Sequence, residues 1–162
     1  MFISKAIRSL LAISALALTL SAGAMTAQAA TVLSSVHYQK RITLVCGNAP
    51  DDIICQGSFA AVAAKQRLNL TRMSCFMFSP PGSEFSQGVV ALRNATGGNP
   101  VVFQYMPSVR SASDGAHTLN QKIDMQVAAT QHVDVLLAIV TNGAINGNHG
   151  ECTATGTVDT LQ

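Results

Sequence analysis

From residue 32 to the C-terminus, apolar side chains recur at every second position in one short stretch after another, and none keeps the spacing of a helix. The first stretch, about 32–46, shows the rule: Val36, Tyr38, Lys40, Ile42, Leu44 and Cys46 take even positions against His37, Gln39, Arg41, Thr43 and Val45 at odd ones, so that one face is mostly apolar. In an extended chain a period of two sends successive side chains to opposite faces, so this is the pattern of a strand with one buried face.

Seven more such stretches follow, at about 54–62, 66–78, 86–93, 101–107, 118–127, 132–141 and 151–160. Turn-forming runs separate them, among them Gly47-Asn48-Ala49-Pro50, Ser79-Pro80-Pro81-Gly82 and the Gly/Asn-rich 142–150. Within 66–78, Leu68 and Leu70 share one phase while Met73, Cys75 and Met77 share the other, which predicts a bulge near Thr71 or Arg72. The stretch 132–141 is apolar at nearly every position, as in a strand covered on both faces, and is expected at the centre of the fold. Four of the six methionines, Met73, Met77, Met106 and Met125, fall in these stretches and are expected in the core.

The expected fold is therefore all-β: an antiparallel β-sandwich of about eight strands, jelly-roll-like. The rival, an eight-stranded outer-membrane barrel, needs aromatic girdles. A chain with no Trp and two Tyr has little material for them.

The N-terminus obeys a different rule. Lys5 and Arg8 precede a short apolar run, Leu10 to Leu20, then small residues and Ala27-Gln28-Ala29. A basic segment, a short apolar segment and a small-residue cut site are the parts of a secretory signal peptide. The apolar run is about half the roughly 20 residues that a membrane span requires. The expected organisation is a cleaved leader, residues 1–29, and one domain, residues 30–162, exported to a bacterial periplasm or beyond the cell. The leader holds two of the ten basic residues and none of the eight acidic ones, so the mature chain has no formal net charge. That excludes a basic nucleic-acid surface and a polybasic membrane patch. Low charge with high apolar content favours association, which makes a homo-oligomer or a fixed partner an expectation.

The four cysteines, Cys46, Cys55, Cys75 and Cys152, all lie in the mature part, and an even count in an exported chain reads as two disulfides. Cys46 and Cys55 lie on matching faces of consecutive strands across a tight connection, so they are expected to pair, and Cys75 then pairs with Cys152. In the chain-entropy model the closed loops of about ten and about 78 residues contribute roughly 2.5–3 and 4–5 kcal/mol.

No H-E-x-x-H, G-x-S-x-G or C-x-x-C occurs, no two histidines stand at metal-ligand spacing, and no catalytic residue, metal or cofactor is assigned. Asp51-Asp52 is the composition of a solvated turn. The tentative ligand-binding residues are His149 and Glu151, beside Cys152, and Asp114 and His117, in the loop before the sixth stretch. These are expected to meet at one end of the sandwich, where loops gather, around a metal ion or a sugar. The functional expectation is an exported, non-enzymatic binding or interaction module of the cell envelope with a protein or glycan partner. A self-assembling structural subunit is the alternative, and a small secreted hydrolase a more distant one.

Overall fold

The alternation that begins at residue 32 becomes a single strand of 17 residues, β1 (Val32–Asn48). It is followed by β2 (Asp52–Ser58), β3 (Gln66–Phe78), β4 (Glu84–Asn94), β5 (Val102–Met106), β6 (Arg110–Ser111), β7 (Ala116–Val127), β8 (Gln131–Val140) and β9 (His149–Leu161). The computed structural model describes residues 31–48, 52–80, 83–107, 110–111, 115–140 and 149–162. The leader and its cut site, Asp51 and Asp114 lie outside these residues.

Every pairing is antiparallel, and the strands run in the order β5-β4-β8-β2-β1-β9-β3-β7-β6. The long first strand makes two layers out of this one sheet. Val32 to Leu44 pair with β9, whereas Val45 to Asn48 pair with β2. One layer is thus β5-β4-β8-β2 and the other β1-β9-β3-β7-β6, with β1 passing between them. The sheet curls until β7 packs across the core against β4, β5 and β8. At the far seam, the Gln104 amide of β5 donates to the Lys122 carbonyl of β7 at 3.0 Å. The result is nearly a closed barrel.

Leu70, Met73, Met77, Leu119 and Ile123 of one layer meet Ile53, Val90, Met106, Leu137 and Ile139 of the other, all fully buried. Each comes from the inward phase of its strand, as the alternation requires. The bulge appears where the change of phase places it, between Leu70 and Arg72, and shifts register in both ladders that flank β3.

Both expected disulfides are present, and all four cysteines are used. Each joins residues directly opposite in a ladder, Cys46 to Cys55 across β1 and β2, and Cys75 to Cys152 across β3 and β9. The first bridge sits where β1 leaves one layer for the other. The second ties the C-terminal strand into the middle of its sheet.

Three details depart from the sequence expectation. The second strand ends at Ser58 rather than near 62, because its chain leaves the regular ladder. It still runs beside β8, with Phe59 N donating to Val133 O at 2.9 Å and Val62 N to Gln131 O at 3.0 Å. The expected loop 108–117 contains the two-residue strand β6 and the start of β7. Finally, β8 does lie centrally in its layer, between β2 and β4, but among the described residues a second layer packs over only one of its faces. Val133, Val135, Leu137 and Ile139 point into the core, while Leu136, Ala138 and Val140 belong to the opposite phase, half-buried, buried and exposed in turn, over which no second layer passes among the described residues.

Candidate functional site

The outer faces of the two layers differ in chemistry. Outward positions of β9 carry Thr153, Thr155 and Thr157, with Arg41, Gln39 and His37 of β1 opposite them. On the other flank of β9 stand Ser74, Arg72 and Asn69 of β3. That face is polar along these rows, and exposed Phe76 and Phe78 of β3 follow at the end near Glu151 and His149. The outer face of the β5-β4-β8-β2 layer is mostly apolar. One row crosses Tyr105, Val89, Leu136, Gln56 and Val45, and the next crosses Phe103, Ala91, Asp134 and Ser58. A third adds Ala138 and Ile54. Phe103 and Tyr105 are 54% and 61% exposed, and their rings meet edge to face at 5.5 Å.

Two shallow hollows indent this face. One of about 250 Å³ lies between Phe103, Tyr105, Val89, Pro100 and Leu136. Its neighbour, about 450 Å³, lies between Val45, Gln56, Ser58 and Leu136. The ridge shared by both is the ion pair of Arg93 and Asp134, Nε to Oδ2 at 2.8 Å. Asp134 is the hub of a small network. Ser58 Oγ donates to its Oδ1 at 2.5 Å, and His132 Nε2 lies 3.3 Å from the same oxygen. Arg93 also donates to Gly98 O through Nη1, at 2.5 Å. These are cross-strand neighbours: Asp134 is opposite Ser58 in one ladder, and Arg93 opposite His132 in the other.

Ser, His and Asp are the residue types of a hydrolytic triad, but their order here is different. A triad needs the imidazole between hydroxyl and carboxylate, so that it can take the hydroxyl proton. Here the carboxylate stands in the middle, and both Ser58 and His132 turn to it. The network neutralises Asp134 on an otherwise apolar surface; it does not prepare a nucleophile.

The residues singled out in the sequence are distributed as follows. His117 and His149 do come to the same end of one layer, because Met77 and Phe78 of β3 pair with His117 and Ala116 on one side and with Gly150 and His149 on the other. They face opposite ways. His117 points inward, is buried, and lies 2.9 Å from Ser79 Oγ through Nε2, with the Phe85 ring 6.1 Å away. Burial lowers its pKa. His149 and Glu151 point outward, where His149 Nε2 lies 3.2 Å from Glu151 Oε1 and Arg41 pairs with Glu151. Asp114 lies outside the described residues. Among the described residues no three of His, Cys, Asp and Glu gather as a metal site.

Sequence reasoning did not single out Ser58, Arg93, His132 or Asp134. One signal for them was available: Asp134 is the one charged residue in the apolar run of β8. A charge there needs a partner.

No family model matches the chain, and no curated protein matches it. Among solved structures it is similar to the crystal structure of the infectious bursal disease virus VP2 subviral particle, with a TM-score of 0.43 and 12% identity over 80% of this chain and 34% of that one. This chain therefore spans about a third of that protein's length.

Proposed function

We propose that this chain is an exported, non-enzymatic interaction module of the cell envelope, and that its outer β5-β4-β8-β2 face docks an uncharged, apolar surface of a protein partner. One observation carries the reading. The sequence of β8 is that of a strand covered on both faces, yet among the described residues a second layer packs over only one. Phe103, Tyr105, Val45 and Ile54 are exposed on this face, Val89 and Leu136 half-buried between them and Ala91 and Ala138 buried, and contiguous apolar surface of this kind marks interaction sites. The charge of the face selects the partner's chemistry: Arg93 and Asp134 cancel each other. A protein fits better than a glycan, because a sugar must be met by several free hydrogen-bonding groups. Here Ser58, His132 and Arg93 are already turned to Asp134.

Export and cleavage near Ala29 belong to the same proposal, supported by the leader pattern and by two disulfides of the kind that persist in oxidising compartments.

The test is site-specific photocrosslinking in the cells that make the protein. A benzophenone side chain at position 136 should give discrete protein adducts, and these should disappear when Val89→Lys is added. The same probe at position 155, on the polar face, should give none. Equal labelling from both faces, or no adduct from position 136, would sink the proposal.

A further inference from the structure

The edge of the apolar layer is as distinctive as its face. Strand β5 ends the sheet, paired with β4 on one side and with no strand on the other among the described residues, where β7 lies across an unpaired seam. Edge strands of this kind expose unpaired backbone groups, and soluble chains usually blunt them with Lys, Pro within the strand, or a bulge. Here β5 reads Val102-Phe103-Gln104-Tyr105-Met106, and it is the one strand of the nine without a charged residue. No charge occurs anywhere between Arg93 and Arg110. Pro100 and Pro107 stand outside the strand and bound it without interrupting it. Phe103, Tyr105, Val101 and Val102 are each about half exposed or more, at 54%, 61%, 53% and 48%. The opposite edge is different: β6 pairs with the start of β7, and Lys122 and Asp124 follow.

We infer that β5 is a self-association edge, on which the β5 of a second copy adds in antiparallel register across a two-fold axis, joining two four-stranded layers into one eight-stranded sheet. The inference rests on the reading of this layer as an interaction surface and names its first partner. The argument for a second copy is one of symmetry and charge. A two-fold axis sets each strand against itself reversed, so a strand with net charge repels its own copy. β5 carries none. Its pattern also reads the same in both directions. With Gln104 on the axis, Phe103 faces Tyr105 of the copy and Val102 faces Met106, apolar against apolar at each step. The outward rings of both copies then extend the same apolar face across the join. Across the seam within each copy, β7 presents Lys122 and Asp124, whose charges cancel, and the contact there is the Gln104 side chain.

Edge pairing leaves much of the outward Phe103 and Tyr105 rings on the face, so the area it buries falls below the ~1,000 Å² of a stable interface. The dimer is therefore a dissociable one, formed as concentration rises.

The experiment is sedimentation equilibrium of the purified, oxidised chain from low-micromolar to near-millimolar concentration, with amide hydrogen exchange measured at both ends of the range. The expected result is a monomer–dimer equilibrium in which amides 102–106 exchange more slowly at high concentration while amides 121–126 of β7 do not. The double variant Phe103→Lys/Tyr105→Lys, which changes two exposed outward side chains, should raise the dimer dissociation constant at least about tenfold. A strict monomer at the highest concentration overturns the inference, as does a dimer whose new protection lies away from β5. The wild-type exchange data decide even if the variant folds poorly. Adducts from position 136 to other proteins, combined with a strictly monomeric chain, would defeat this inference and leave the interaction-module reading standing. Absent adducts with a β5-protected dimer would do the reverse.

Discussion

His117 and Gly156 each owe their identity to one close neighbour. His117 is buried, with Ser79 Oγ at 2.9 Å and the Phe85 ring 6.1 Å away, and burial favours its neutral form over the imidazolium. Its folded pKa is therefore depressed below the ordinary value of 6.5. The unfolded chain binds a proton first as pH falls, so stability is undiminished above about pH 6.5 and declines as pH drops from there through the lower folded value. Urea unfolding at pH 7.5 and 5.5 should show this loss, and His117→Asn, which cannot titrate, should reduce it. An unchanged slope in the variant would assign the effect to another group. Asp159 works in the other direction on the pH scale. Hydrogen bonds from Arg67, Ser35 and Asn69 hold its carboxylate below the usual 3.8, so its contribution is intact above that value and is lost as pH falls further. At Gly156 a Cβ would stand 2.0 Å from the Asn69 carbonyl oxygen, beside the β3 bulge. Main chain cannot yield there as a flexible side chain would. Gly156→Ala should cost about 1–3 kcal/mol in urea unfolding. A neutral result would mean that the bulge moves freely.

Among the elements, the two cross-strand bridges are unequal. Cys46–Cys55 spans 9 positions of sequence and Cys75–Cys152 spans 77. Loop closure removes more entropy from the unfolded chain when the loop is long. Replacing Cys75 and Cys152 together by Ala should lower stability by about 4–5 kcal/mol, against about 2.5–3 kcal/mol for the Cys46 and Cys55 pair. Guanidinium unfolding of the two double variants orders them, and the reverse order would show that native-state packing around the first bridge outweighs the entropy term. Both pairings were legible because each cysteine keeps the inward phase of its strand, and the period of two carries that phase along the chain. The bulge at Leu70–Arg72 was legible for the same reason: a change of phase within one strand has few other causes. The cover of β8 was not legible. An apolar run records that both faces avoid water, and it says nothing of whether the same chain supplies the second cover. The grouping of Ser58, Arg93, His132 and Asp134 was hidden too, since it depends on β2 and β4 lying on either side of β8, contacts between segments distant in sequence.

Taken whole, the molecule is a sheet folded on itself with one face mostly polar, apart from Phe76 and Phe78, and one mostly apolar, and this asymmetry is the property most open to measurement. The polar face needs no partner: its threonines and paired charges hydrogen-bond to water or to one another, as Asn69 does with Asp159 at 2.7 Å. The apolar face has the Asp134 network and the exposed Gln56 and Gln87 to hold water. The same charge placed on either side should therefore act differently. Leu136→Lys puts an ammonium in the middle of the apolar rows, between Val89 and Gln56. Thr155→Lys puts it among polar neighbours, between Gln39 and Arg72. Both side chains point away from the core, so both variants should stay folded with stability changes within about 1 kcal/mol. Retention on a hydrophobic-interaction column should fall sharply for Leu136→Lys and hardly move for Thr155→Lys, and fluorescence of a bound apolar dye should follow the same order. If the two variants behave alike, the outer β5-β4-β8-β2 face is not the dominant apolar surface of the folded chain, and the docking role assigned to it loses its physical basis.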